Sequence, residues 1–113
     1  MSAITTHVLD TARGCPAAGI RVALEHADAL NRWTAIGEGV TDADGRLRTL
    51  MPKGSPAAPG LYRLVFDTAP YFAEQGIAAF YPHIIVSFTV TEDPHYHVPL
   101  LLSPFGYSTY RGS

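Results

Sequence analysis

His95-Tyr-His-Val-Pro-Leu-Leu-Leu-Ser-Pro-Phe-Gly-Tyr-Ser-Thr-Tyr-Arg-Gly-Ser113 is the stretch whose reading decides the fold. It divides into two strands joined at a turn, Ser103-Pro104. Side chains alternate across a strand, so His95, His97, Pro99 and Leu101 share one face. Tyr96, Val98, Leu100 and Leu102 share the other, which is wholly apolar and therefore faces a core. Pro99 has no N–H and fits only where the ladder requires none, as at an edge or a bulge. The second strand is expected over Phe105 to Tyr110. The sequence then stops at Tyr110-Arg111-Gly112-Ser113, an aromatic, a cation and a carboxylate beside a His-x-His strand, which suits an end that takes part in a site.

The rest of the chain supplies partners for this pair. Ile4 to Asp10 is β-branched and alternating, with Thr5, His7 and Leu9 on one face. Thr11 to Gly19 is a connection. Ile20 to His26 places Ile20, Val22 and Leu24 inward, Ala29 to Arg32 is a hairpin turn, and Trp33 to Val40 is a third strand. Thr41 to Gly45 is a turn by composition, followed by a short strand at Arg46 to Leu50. Pro52 to Gly60 is a surface loop, and Leu61 to Phe66 and Ile84 to Val90 are further strands. Thr68 as N-cap, Pro70 in the first turn and Gly76 at the C-terminus predict one helix of about two turns. Seven to eight short strands at regular spacing predict an all-β sandwich of two antiparallel sheets with one short helix.

Composition narrows the function. The 113 residues suffice for one domain, 1–113, and not for two. With 47% hydrophobic and 16% charged residues the chain is globular, and a net charge of -2 offers no basic field for nucleic acid or an anionic membrane. No apolar run approaches the ~20 residues of a membrane span. The N-terminus shows no secretory signal, which makes a cytoplasmic location the expectation. Cys15, between Gly14 and Pro16, reads as a loop thiol. Asp42-x-Asp44-Gly45 suggests a calcium loop. With Gly45 as sixth position, however, Val40 and Met51 fall where carboxylates are required, so it is a turn.

The five histidines sort unequally. His26 and His83 sit at strand ends among turn residues and are expected to be solvated. His7 and His97 sit mid-strand, and the residues alone leave open whether each is a satisfied sheet histidine or a functional one. The same holds for His95. Arg46 alone reads as a solvated edge residue.

The His95-to-Pro104 run with the final Tyr-Arg-Gly-Ser resembles the 5-hydroxyisourate hydrolases, transthyretin-related enzymes of urate breakdown. Thr6-His7-Val8-Leu9-Asp10 and Asp44-Gly45-Arg46 fit the same family in the same order, so the resemblance spans about Ile4 to Ser113. It implies a transthyretin-like fold, a homotetramer built as a dimer of dimers with sites where outward faces meet, and hydrolysis of 5-hydroxyisourate to 2-oxo-4-hydroxy-4-carboxy-5-ureidoimidazoline. It also implies residue roles: His7 and His97 as the proton-transferring pair, Arg46 binding and polarising substrate, and Tyr110 and Ser113 closing the pocket. Ser108, Leu101 and Pro99 are expected to line its wall, and His95 is a substrate-binding candidate whose role the resemblance leaves open, with no metal and no cofactor. The chemistry is coherent. Opening a cyclic amide-like C–N bond with water needs a base and an oxyanion stabiliser. Imidazole titrates nearest neutrality, an adjacent Arg keeps it uncharged, and the guanidinium fits a planar, oxygen-rich ring.

Three rivals stand against this reading. A transthyretin-like carrier would share the fold, because fold alone does not decide function. A zinc hydrolase could use His95, His97 and His7. A plain interaction module would leave the histidine placement unexplained.

Overall fold

A computed structural model describes residues 2–113. The elements run β1 (Ile4–Asp10), β2 (Cys15–Pro16), β3 (Arg21–Ala27), β4 (Trp33–Val40), β5 (Arg46–Leu47), β6 (Gly60–Asp67), α1 (Ala69–Ala73), β7 (Ile84–Val90), β8 (Tyr96–Ser103) and β9 (Gly106–Thr109). One sheet has the order β2-β1-β8-β9, with β5 also paired to β1, and the other has the order β4-β3-β6-β7. Their inner faces meet through Ile4, Val8, Val98, Leu100 and Leu102 on one side and Val22, Leu24, Leu64, Phe66 and Ile84 on the other. These are the inward positions of the alternating runs, and burying them is the main favourable contribution to the sandwich. Among the described residues no helix is long and apolar enough to cross a membrane.

The sandwich stands as expected, with three corrections. First, β1 and β8 are parallel, paired from Ile4↔Tyr96 to Asp10↔Leu102, so the first sheet is mixed. Most of the chain lies between these strands and no hairpin constrains their direction. Second, the described residues hold nine strands, seven of four residues or more and two of only two. The short pair are β2, inside the expected connection, and β5, which stops at Leu47 instead of Leu50. Third, α1 is a five-residue helix, and Thr68 at its N-cap is itself helical (φ -93, ψ -27) with no side-chain capping bond. Its hydroxyl is buried without a partner. The helix is fixed by packing instead: Phe72 is buried, and the Tyr71 hydroxyl donates to Asp10 Oδ2 at 2.7 Å, tying α1 to β1.

Pro99 is not on an edge strand, since β8 lies between β1 and β9. Tyr96 N–H donates to Ala3 on the β1 side, and His97 C=O accepts from Gly112 on the tail side. Backbone groups alternate in direction, so the nitrogen of Pro99 faces the tail. There β9 pairs only with Leu100 to Ser103, and the chain bows away before Gly112 rejoins β8 at His97. Pro99 occupies this gap, where no N–H is required. His26 also departs from expectation: it stacks on Tyr62, centroids 4.3 Å apart, rather than facing water. His83 is exposed as expected.

Candidate active site

The first sheet aligns three strands so that one outward face collects the polar residues. Thr5 lies opposite His97 and His7 opposite Pro99 across the β1–β8 pairing, while β5 places Arg46 opposite His7 on the other flank. The turn before β5 makes that placement possible. Asp42 Oδ1 accepts from Asp44 N–H and Arg46 N–H, an Asx turn that holds the Asp42 carboxyl below its usual range, chiefly through the Arg46 amide. Gly45 has φ 74, and a Cβ there would collide with the Val8 carbonyl oxygen. Only glycine lets this turn lie flat on β1.

The same turn fixes His7. Its Nε2 lies 2.8 Å from the Asp44 carbonyl oxygen. A carbonyl only accepts, so Nε2 carries the proton and neutral His7 keeps its lone pair on Nδ1. His97 is held in the opposite sense: its Nδ1 lies 2.8 Å from Thr5 Oγ1, which leaves Nε2 open. Thr5 is 3% exposed, and the same Oγ1 lies 3.0 Å from His95 Nε2. The two imidazoles of His95 and His97 are stacked, centroids 6.4 Å apart.

Thr5, Thr6, Arg46, Arg48, His95, His97 and Ser113 line a half-open cleft of about 200 Å³. Burial, then the Arg46 guanidinium, with weaker contributions from His7, His95 and Arg48, hold His97 below the ordinary imidazole range. Among the described residues the Arg46 side chain makes no hydrogen bond or ion pair. The tail is anchored beside this cleft. Arg111 donates to Asp93 Oδ2 at 3.0 Å and covers the Tyr96 ring at 4.6 Å, and Gly112 N–H donates to His97 C=O at 2.8 Å. A methyl on Gly112 would come 2.7 Å from His97 Cδ2 and 3.2 Å from Pro99 Cγ. The glycine is needed for closeness to the imidazole.

The structure therefore brings together Arg46, His95, His97 and Ser113, with His7 alongside Arg46 and Pro99 beneath Gly112. It does not bring the remaining wall residues to the cleft of one chain. Leu101 lines a separate depression with Cys15 and Pro16, and Ser108 pairs with Leu101 on the exposed β9. Tyr110, 55% exposed, turns to a groove with Val86, Phe88 and Arg111. Sequence reasoning missed Thr5 and Arg48. Alternation already put Thr5 on the His7 face, and Arg48 follows Arg46 by two residues, so both signals were present. Among the described residues no three of histidine, cysteine, aspartate and glutamate are grouped so that they could hold a metal ion.

A family model described as the HIUase/Transthyretin family matches residues 4–112. This chain belongs to that family. A 5-hydroxyisourate hydrolase of Salmonella typhimurium is 48% identical over 111 residues, covering 97% of this chain and 80% of the relative. The solved structure of Klebsiella pneumoniae 5-hydroxyisourate hydrolase matches with TM-score 0.86 at 36% identity, covering 100% of both chains. Sea bream transthyretin in complex with thyroxine matches with TM-score 0.88 at 34% identity, covering 97% and 94%. Membership in the HIUase/Transthyretin family thus accounts for the sandwich. The cleft chemistry must separate hydrolase from carrier.

Proposed function

We propose that this chain is a 5-hydroxyisourate hydrolase, opening the cyclic C–N bond with water to give 2-oxo-4-hydroxy-4-carboxy-5-ureidoimidazoline. The observation that carries the reading is His97: an imidazole kept uncharged by burial and Arg46, with Nε2 open toward a cleft that an unpaired guanidinium also lines. Its kinship with the Salmonella and Klebsiella hydrolases supplies the substrate. In this mechanism His97 Nε2 takes the proton of the attacking water. Arg46 pairs with the ring oxygens and stabilises the oxyanion as the carbonyl becomes tetrahedral. His7, its tautomer set by Asp44, serves as the second proton-transfer group through Nδ1, and Ser113 hydrogen-bonds the ring or the water.

The same reading gives roles to the residues outside the cleft. Leu101 and Ser108 lie on the outward face of the first sheet. A second copy laid against that face would cover the cleft and add the partner's wall, with Tyr110 at the edge. Enclosure of this kind excludes water and strengthens the Arg46 interaction. We therefore take the working form as a homotetramer, a dimer of dimers, and sedimentation equilibrium measures it directly.

The test is the loss of the ultraviolet band of 5-hydroxyisourate, generated in situ by urate oxidase, in the presence of a chelator. Acceleration over spontaneous decay is the expected outcome. No acceleration from folded, tetrameric protein would favour the carrier, the reading that the similarity to thyroxine-bound transthyretin supports.

A further inference from the structure

Thr5 has one hydroxyl proton and two imidazole neighbours. It can donate to only one ring nitrogen and must accept from the other, so His97, Thr5 and His95 form a single directional chain. We propose that this chain is a proton relay: charge generated on His97 during hydrolysis passes through Thr5 to His95 and returns, which rests on the hydrolase reading above.

The balance closes over one turnover. At the start His97 Nδ1–H donates to Thr5 Oγ1, and the Thr5 hydroxyl donates to His95 Nε2. Water attacks the carbonyl carbon, a C–O bond forms, and the water proton goes to His97 Nε2. His97 Nδ1–H then passes to Thr5 Oγ1 while the Thr5 proton passes to His95 Nε2, leaving His97 neutral and His95 as imidazolium. As the C–N bond breaks, His97 Nε2–H goes to the departing nitrogen, and both relay protons step back. The product carboxyl loses its own proton to water afterwards. No oxidant, metal or further reactant enters.

Three observations favour holding the charge on His95. Arg46 and Arg48 from β5 and the residue after it, and His7 from β1, all disfavour imidazolium at His97. His95 lies two residues further along the chain from the Arg46 register than His97 does, beside the Asp93–Arg111 pair, whose Arg111 reaches the His95 carbonyl at 3.5 Å. His95 also lines a second depression, about 340 Å³, with Ser2, Ala3, Ser55 and Pro94, so its ring is solvated on the far side. Burial of Thr5 keeps competing water off the bridging hydroxyl.

The experiment is kinetics of the full chain bearing His95→Ala, Thr5→Val, Thr5→Ser and the His95→Ala/Thr5→Val pair, with folding checked by circular dichroism. We expect kcat of His95→Ala and of Thr5→Val to fall about ten-fold, a fraction of the roughly 10²–10⁴-fold that acid–base catalysis supplies, with KM little changed. Thr5→Ser, which keeps the bridging hydroxyl, should recover most of the kcat that Thr5→Val loses. Free imidazole, entering the space left by the ring, should restore His95→Ala but not the double variant, which lacks the bridge. Unchanged kcat in His95→Ala, or equal rescue of single and double variants, overturns the relay. If Thr5→Val does not fold, rescue of His95→Ala together with the rate of Thr5→Ser decides it. Wild type without turnover overturns the hydrolase reading and the relay together. Wild-type turnover with unaffected variants overturns the relay alone.

Discussion

The two sheets of this sandwich treat their outward polar groups differently. On the second sheet the central outward groups pair with one another: Arg63 binds Glu25 at 2.5 Å and lies 4.1 Å over Trp33. On the first sheet the groups are aimed but unspent. Arg46 has no side-chain partner among the described residues, and His7 and His97 each have one nitrogen fixed and one open. Both faces satisfy the same alternation, and both carry arginine. What marks the first as the site is the combination of fixed orientation and unfilled hydrogen-bonding capacity. Such groups are costly to hold near one another and are retained where a ligand completes them.

The largest test of this contrast is deletion of the unspent groups. His97→Ala and Arg46→Ala should each lower kcat/KM for 5-hydroxyisourate by about 10²–10³-fold, the range for removing a general base or an oxyanion stabiliser. Thermal melting of the same proteins should stay near wild type, because neither side chain belongs to the core. A smaller loss is expected from Gly112→Ala. The added methyl meets His97 Cδ2, and displacing a catalytic ring by a fraction of an ångström should reduce kcat about ten-fold. Steady-state kinetics beside a crystal structure of the variant would show whether the ring has turned.

The pH profile sharpens the comparison further. Burial and then the cations beside His97 penalise imidazolium, so its folded-state pKa lies below the ordinary value of about 6.5, and the acid limb of kcat/KM should fall below that point too. Arg48→Gln removes one of those cations, which makes protonation easier, so the limb should move upward in pH. His97 ring resonances followed by NMR titration should move with it. On the other sheet, His26→Ala should leave turnover unchanged and cost about 1 kcal/mol of stability through the lost stacking on Tyr62, read from denaturant unfolding. If His26→Ala instead reduced turnover as His97→Ala does, the division between the two faces would be wrong.

Much of this molecule was legible before any coordinates. The strand runs at Ile4–Asp10, Trp33–Val40 and Ile84–Val90 follow from β-branched alternation, and the apolar set Tyr96, Val98, Leu100 and Leu102 named its own core face. Turn chemistry was equally local, because Asp42 and Gly45 act within their own few residues. His26 and Thr68 were misread for the converse reason. The Tyr62 ring that covers His26 and the packing that starts α1 without a cap both come from distant parts of the chain.

The sequence by itself determined the sandwich, the outward set of His7, Arg46 and His97, and the turn at Thr41 to Gly45, since all of these are short-range consequences of period and turn composition. Only the tertiary structure decided that β1 runs parallel to β8 and that Thr5 bridges His95 to His97. It alone set which nitrogen of each imidazole is open, and it turned Tyr110 away from the cleft of its own chain. Those features depend on register between segments some ninety residues apart, such as Thr5 and His97, and on the direction of single polar atoms. Hydrophobic period constrains which face a residue occupies, but it carries no information about which strand lies beside it or where a hydroxyl points.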